Sequence, residues 1–488
     1  MKRILFVCDS YRRQTGYATV GMNIIEQLLK LDSTKEKFVI GQLGIGDVPI
    51  NSTPPFEYYT IIKDHSKCCG RGNIIEHYNQ TTKTVEYIEP GLFLNLHANQ
   101  AHCPRGENIP SDAYAQESCF FVINHFKPDI VVAINDIWGF YNINYLKNRG
   151  HFKFVPYLAV DSECFPPMID AQHPGLPPIN TIQCIGASNK VVVFTEFAKS
   201  EINKTCKIVT NGQEFTNLEV IPHGVNQSLF KPLPNRTALR EQYFSVKDDT
   251  FILGCVARNQ PRKRLDAIFQ VLAILKKKYV QKNKRLICHF HCAIEDKMGN
   301  NLLWLAKYYD VVEMCVFDNR LRPGFGVHPQ MLNEIFNCYD AHVLLTNSEG
   351  WGLPIIETMA AGIPNVISDY SAHADWSKDA AIKIRIAARV HEVKTDHIKG
   401  IVDISHAAKE ISLLYQSDKM CKEYSKRSLA LATELNWDNI GPSWVKLFEE
   451  LDVSDLKDNR YNIMKVDMNS VGAIPEDPIN TPFKLLEL

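Results

Sequence analysis

Short apolar runs separated by amphipathic stretches set the rhythm of this chain. Residues 3–8 are apolar enough for a strand buried on both faces. A polar loop runs from Asp9 to Thr15, followed by Gly16. Val20, Ile24, Ile25, Leu28, Leu29 and Leu31 then recur at helical spacing, and Phe38-Val39-Ile40 is the next expected strand. This is a βαβ opening. Residues 45–115 break the rhythm with Pro, Gly, Cys and His, and are expected to form an irregular insertion. Strands are expected again at 128–134, 154–160 and 190–194, the last leading into a helix capped by Thr195.

Ile221-Pro222-His223-Gly224-Val225-Asn226, with Pro232 and Pro234 after it, interrupts the pattern as a linker would. A second α/β series follows. Its expected strands are Phe251–Val256, Arg285–Cys292, Glu313–Phe317, Ala341–Leu345 and Asn365–Ile367, with helices at Leu265–Tyr279 and Gln330–Tyr339. Such alternation predicts parallel sheets covered on both faces. A length of 488 residues suits two or three domains of ordinary size.

Composition narrows the classes of function. A formal net charge of −1 provides no global field for nucleic acid or anionic membrane. No apolar run is long enough to span a bilayer. The 14 cysteines are dispersed, and residues 1–8 read as a strand with no signal-peptide pattern, so a reduced, cytoplasmic setting is expected, with at most peripheral membrane contact.

Three segments carry chemistry. Thr346 to Glu357 follows the apolar Val343-Leu344-Leu345. Pro354 suits a first helical turn, and Gly362 with Pro364 ends the helix. Glu349-Gly350-Trp351-Gly352-Leu353 is therefore a strand-to-helix loop. Its bare amides and helix dipole favour an anion such as a diphosphate. Glu357, about one turn into the helix, suits vicinal hydroxyls, and Glu349 suits sugar hydroxyls. In the second segment, Arg258, Arg262, Lys263 and Arg264 place four cations at another strand end, where a diphosphate leaving group needs positive charge. The third, Gly16-Tyr17 at the first helix N-terminus, could close over the same anion. Cys288-His289-Phe290-His291-Cys292 has metal-binding residue types. On a strand, however, its cysteines and histidines face opposite ways, so it is read as core. Cys68-Cys69 with His65 lacks a second pair at zinc spacing. No Asp-x-Asp metal motif occurs, so no metal and no cofactor are expected.

Together these segments resemble the retaining glycosyltransferases of family 4. Glu349 and Glu357 match that family's E-x7-E motif. Arg258 and Lys263 resemble its Arg and Lys pair, residues 221–226 its linker, and Trp437-Asp438 with the following helix its C-terminal crossover. The resemblance is specific over 220–370 and fainter before it. It implies the GT-B architecture, with two Rossmann-like parallel-sheet domains facing a central cleft. The expected organisation is an N-terminal domain over 1–222, a linker over 223–234, and a nucleotide-sugar domain over 235–435. A helix over 436–454 crosses back, and 455–488 form a tail.

The resemblance further implies transfer of a hexosyl group from a nucleoside diphosphate sugar, UDP- or GDP-linked, to a hydroxyl of a glycan or glycolipid. Arg258 and Lys263 would hold the diphosphate, Glu357 the ribose, and Glu349 with the Gly350–Leu353 backbone the sugar. Gly16 and Tyr17 would complete the phosphate pocket, and the base reader would lie near Val316–Arg322. The sequence departs from the family in carrying Asp161 where many members have a histidine. Asp161 could receive a sugar or acceptor hydroxyl, assist deprotonation of the nucleophile, or serve only as a strand-end cap, and Asp136 is a second candidate on that rim. An epimerase or hydrolase on the same scaffold, or an inactive nucleotide-sugar binder, are the competing readings.

Overall fold

The computed structural model describes residues 1–13, 15–46, 53–63, 73–88, 118–140, 143–144, 149–169, 179–246, 249–281, 284–318, 321, 326–393 and 395–456. The first sheet contains β1 (Lys2–Asp9), β2 (Phe38–Ile45), β3 (Glu57–Lys63), β4 (Asn73–Asn79), β5 (Thr84–Ile88), β6 (Ile130–Asn135) and β7 (Lys153–Leu158). A two-residue pair, β8 (Met168–Ile169) and β9 (Ile179–Asn180), lies outside it, and β10 (Val191–Val193) and β11 (Leu218–Val220) complete it. The strand order is β11-β10-β7-β6-β1-β2-β3-β4-β5. From β11 to β3 every pair is parallel, whereas β3–β4 and β4–β5 are antiparallel.

The second sheet contains β12 (Phe251–Val256), β13 (Leu286–His291), β14 (Cys315–Phe317), β15 (Ala341–Leu344), β16 (Asn365–Ser368) and β17 (Ala381–Ile384). It is parallel throughout, in the order β14-β13-β12-β15-β16-β17. A separate antiparallel hairpin pairs β18 (Ile386–His391) with β19 (Ile398–Val402). Two Rossmann-like sheets covered by helices give the GT-B architecture.

The reading of 45–115 as irregular does not hold over β3, β4 and β5, which extend the first sheet as a meander. Buried Tyr58, Tyr59, Ile75 and Tyr78 stand there beside equally buried Thr60, Glu76 and His77, so no apolar period marks the strands in the sequence. The remainder of that stretch, Cys68-Cys69 with His65, and residues 457–488 lie outside the described residues. The described cysteines are free thiols, and no described helix is long and apolar enough to cross a membrane.

Each sheet has a switch point beside its first strand, β1 or β12. In the first, the chain runs outward from β1 to β2 on one side and returns to β6 on the other. In the second it runs from β12 to β13 on one side and to β15 on the other. Crevices form at the carboxyl ends of such strands. Gly16 and Asp136 follow β1 and β6, while Lys263 and Glu349 follow β12 and β15.

The lobes share a core. One buried cluster includes Phe6 and Ile134 of the first sheet, Val225 of the connection, and Leu344 and Ile356 of the second lobe. His223, in the connection, sits among Phe194 (4.0 Å), Trp351 (5.1 Å) and Tyr157 (5.2 Å between ring centroids), and Tyr157 Oη bonds its Nδ1 at 2.8 Å. Burial pushes this imidazole down to about 3, so it stays neutral. The connection runs beside the chain's later return. Val225 N donates to Leu435 O at 2.8 Å, and the Trp437 backbone lies so close that a Cβ on Gly224 would meet it at 2.7 Å. Only glycine fits there.

The Trp437–Glu450 helix packs on the Gly16–Leu31 helix of the first lobe. Trp444 is fully buried edge-on to Tyr157 (4.9 Å), and Phe448 meets Phe6 and Phe38 (both 6.3 Å). The Lys2 ammonium closes the helix C-terminus, donating to the carbonyls of Phe448 (2.7 Å), Glu449 (2.7 Å) and Leu451 (2.8 Å).

Candidate active site

On the second lobe, the end of β12 turns into a 3₁₀ segment, Pro261–Lys263. Two bonds pin that turn to the end of β15: Thr346 Oγ1 and Asn347 N donate to Arg262 O, at 2.7 and 2.9 Å. The cations of one strand end are thereby fixed beside the loop of the next. The Lys263 ammonium donates to the Glu349 carboxylate, and Arg262 Nη1 reaches the same Oε2 at 3.2 Å. Lys263 and Glu349 are 9% and 7% exposed, so neither charge is solvated away. Burial alone would raise the Glu349 carboxyl. Lys263 and Arg262 outweigh it and hold the carboxyl down at about 2. Two cations share this carboxylate, and Arg262 also faces the Asp161 and Asp136 carboxyls.

The loop after Glu349 is built for close approach. Gly352 has φ +82°, the left-handed region, and a Cβ there would strike Ile355 at 2.8 Å. It is the N-cap of the Leu353–Ala360 helix, with Pro354 in the first turn. Trp351 is 3% exposed and stacks on Trp376 (4.6 Å between centroids), while Trp376 Nε1 donates to Trp351 O at 2.9 Å. Its indole therefore anchors the loop from behind. Ser371 holds the front. This non-glycine residue has φ 59°, its Oγ accepts from Glu349 N at 3.1 Å and donates to Glu349 O at 3.2 Å. Such backbone strain in a residue that touches the loop's acidic end fits a functional position.

Glu357 is half-buried on the same helix, and no hydrogen bond or ion pair reaches its carboxylate from the described residues. Burial without a cation pushes it up to about 7.

The first lobe comes up against this loop. A Cβ placed on Gly16 would lie 3.5 Å from Leu353 Cδ1, and one on Gly350 would lie 3.8 Å from Asp161 Cβ. Thr15 caps the Gly16 helix, accepting from Ala18 N at 3.2 Å, so Gly16 and Tyr17 occupy its first turn. Tyr17 Oη donates to Asp136 Oδ1 at 3.1 Å. Burial and the nearby Asp161 charge push the Asp136 carboxyl up to about 6. Burial would raise Asp161 too, but Lys399 and Arg262 reverse the direction and lower it. Two neighbouring carboxylates thus have affinities for protons pushed apart.

The structure brings Gly16, Tyr17, Asp161, Lys263, Glu349, Gly350, Trp351, Gly352 and Leu353 to one interlobe seam, with Glu357 on the helix behind it. Arg258 stands apart: its guanidinium is exposed and bonds Asp296 at 2.9 Å. Arg262, its neighbour in the basic run, takes the place against Glu349. Arg264 turns to Asp266 (2.9 Å). Sequence reasoning passed over Arg262, Ser348, Ser371 and Lys399. Arg262 and Ser348 lay in segments already singled out; Ser371 and Lys399 have no local pattern. His289 and His291 share a face as their strand alternation required, and with Asp318 they bring donor atoms within 4.8 Å of one another. His289 Nδ1 pairs with Tyr339 Oη at 2.8 Å. Of the stretch expected to read the base, residues 319, 320 and 322 lie outside the described residues.

Known proteins share part of this sequence and the whole of this fold. Residues 235–428 match the model of the family "Glycosyl transferases group 1". Over 197 residues the chain is 24% identical to a D-inositol 3-phosphate glycosyltransferase of Kineococcus radiotolerans, a match covering 40% of this chain. It spans 43% of that relative's length. Among solved structures, a sucrose-phosphate synthase from Thermosynechococcus elongatus superposes with a TM-score of 0.61 at 14% identity, over 92% of this chain and 99% of that one. HepE of Anabaena, solved with UDP and glucose, superposes with a TM-score of 0.59 at 13% identity, over 92% and 100%. At these identities the structures speak for the shared fold. This chain is a GT-B protein whose residues 235–428 match the group 1 glycosyl transferases.

Proposed function

We propose that this protein is a retaining, family 4-like glycosyltransferase that moves a hexosyl group from a nucleoside diphosphate sugar to an acceptor hydroxyl. The observation that carries this reading is the convergence, at the switch points of two facing sheets, of Arg262, Lys263 and Glu349 with the Gly350–Leu353 loop and Asp161. Glu349 pairs with cations that a diphosphate would otherwise meet. A donor entering the seam takes Lys263, with Arg258 swinging from Asp296, onto its phosphates. Amides at Gly16, Tyr17 and Gly350–Leu353 add partial positive charge without a proton to lose. Glu349, released, faces sugar hydroxyls, and Glu357 takes the ribose pair.

The bond from the anomeric carbon to the diphosphate oxygen breaks as the acceptor oxygen bonds the same face. The acceptor proton passes to the departing phosphate. Arg262, Lys263 and the helix dipoles supply the charge that this leaving group requires, so no metal ion is needed in the reading. Asp161 orients a sugar or acceptor hydroxyl. UDP is the first donor nucleotide to test, because HepE was solved with UDP and glucose. The inositol phosphate in the name of the Kineococcus relative makes a polyol or its phosphate a first acceptor to try.

A thermal-shift screen against UDP-, GDP- and ADP-sugars, followed by NMR of the product's anomeric proton, tests the reading. Stabilisation by one donor and a product of unchanged configuration are expected. Inverted configuration would end the retaining assignment, and failure of every donor to bind or turn over would end the transferase assignment.

A further inference from the structure

We infer that Lys399, carried into the seam by the β18–β19 hairpin, is a positioning residue that sets Asp161 for the acceptor side of the reaction; this rests on the transferase reading above.

The hairpin is anchored on both lobes. Ile398 N donates to Glu163 O of the first lobe at 3.1 Å, forming an isolated antiparallel bridge, and Arg389 pairs with Glu163 at 3.3 Å. Tyr370 Oη donates to Ile398 O at 2.5 Å and accepts from Glu163 N at 3.3 Å. One residue beyond Lys399, Gly400 N donates to Asn347 O of the second lobe at 2.9 Å. The Tyr370 ring lies so close that a Cβ on Gly400 would meet it at 2.6 Å. Lys399 is therefore held between an anchor on the first lobe and an anchor on the loop that leads to Glu349.

Its ammonium, on a residue 7% exposed, is spent on the seam. It donates to Ser162 Oγ at 2.8 Å and Ser348 Oγ at 3.1 Å, and lies 3.8 Å from Asp161 Oδ1 and 3.7 Å from Glu392 Oε2. Ser162 Oγ in turn donates to Asp161 Oδ1 at 2.7 Å, and Ser348 Oγ approaches Asp161 Oδ2 at 3.5 Å. Both Asp161 oxygens are thus oriented by hydroxyls that Lys399 itself orients, one from each lobe. A long flexible cation is a poor choice for mere adhesion between lobes, because burying it forfeits hydration and rotamer freedom. That arrangement makes sense where a carboxylate must stay ionised in a fixed direction. The other charged or titratable groups facing Asp161 are Asp136 and Tyr17 from the first lobe, and Arg262, Lys263 and His397 from the second.

The test compares wild type, Lys399→Met and Lys399→Arg. The donor is the sugar nucleotide that wild type turns over, starting with UDP-glucose. Nucleoside diphosphate release is read with water alone and with free hexoses or myo-inositol as acceptor. For Lys399→Met we expect acceptor KM to rise and kcat to fall by a combined factor of roughly ten to a hundred, with donor KM within about twofold. Its acid limb should move to higher pH, because Asp161 loses the cation that favours its ionised form. Lys399→Arg should recover part of both. A simple lobe-to-lobe strut would change stability and donor KM instead. Wild-type turnover matched by Lys399→Met in acceptor KM, kcat and acid limb overturns the role of Lys399 alone. No turnover by wild type with any UDP-, GDP- or ADP-sugar overturns the transferase reading, and this inference with it. If Lys399→Met does not fold, Ser162→Ala cuts the same relay and is scored by the same outcomes.

Discussion

Glu357 gives a direct way to ask whether the Leu353–Ala360 helix faces a nucleoside. Its carboxyl sits near pH 7 instead of 4.5 because burial removes water and no cation replaces it. At about 1.36 kcal/mol per pH unit, the shift corresponds to roughly 3 kcal/mol against the ionised form, less for a group that keeps some exposure. The sign follows: folding favours the proton, so this group's contribution to stability is greatest below pH 4.5 and is lost as pH rises through 7. A ribose would reverse that preference, since its two hydroxyls donate to carboxylate oxygens. UDP-glucose, whose diphosphate does not titrate here, should then bind about tenfold more tightly at pH 8 than at pH 6. Calorimetry in buffers of different ionisation enthalpy should show about 0.9 proton released per donor bound at pH 6 and about 0.1 at pH 8. Glu357→Gln should abolish this linkage, weaken binding at pH 8 by roughly tenfold or more, and gain stability at pH 8. A wild-type affinity that does not change with pH, or a linkage that survives in Glu357→Gln, would refute the ribose contact.

Other consequences are simpler to check. Lys263→Met leaves Glu349 buried with only Arg262, so transfer should vanish and stability fall by about 3 kcal/mol, read as a lower denaturant midpoint. Gly350→Ala adds a methyl that, among the described residues and apart from its chain neighbours, meets no atom nearer than 3.8 Å, so thermal stability should barely change while donor turnover drops sharply; equal turnover would mean that nothing approaches the loop there. Gly441→Ala, by contrast, drives a Cβ to 2.8 Å from Gln27 where the last helix meets the first. It should lower stability by about 1–3 kcal/mol with little change in donor KM.

Local signals explain what could be read in advance. Thr195 and Pro354 mark helix starts through their own chemistry, and the apolar runs of β1, β12 and β15 are buried on both faces, so each declared itself within a few residues. Glu349 and Glu357 were legible for the same reason, lying on one loop and one helix turn. Lys399 lies fifty positions beyond Glu349 on a strand whose pattern resembles any exposed hairpin; only Glu163 and Asn347, from two different lobes, give it a place. Arg258 and Arg262 were indistinguishable as charges. Which one turned inward depended on Thr346 and Asn347 grasping the carbonyl of Arg262. The β3–β5 meander was hidden because polar Thr60, Glu76 and His77 take buried positions in it and break the apolar pattern.

The Trp437–Glu450 helix also bears on how the molecule is made. Tyr157, Phe6 and Phe38 leave the ribosome early, yet Trp444 and Phe448, which complete their surroundings, emerge some three hundred residues after Tyr157. Until then the nascent first lobe presents that apolar face bare, with Lys2 waiting for the carbonyls it will later bind. A fragment cut near residue 222 should therefore aggregate, whereas one supplied with residues 435–456 as a separate peptide should be rescued.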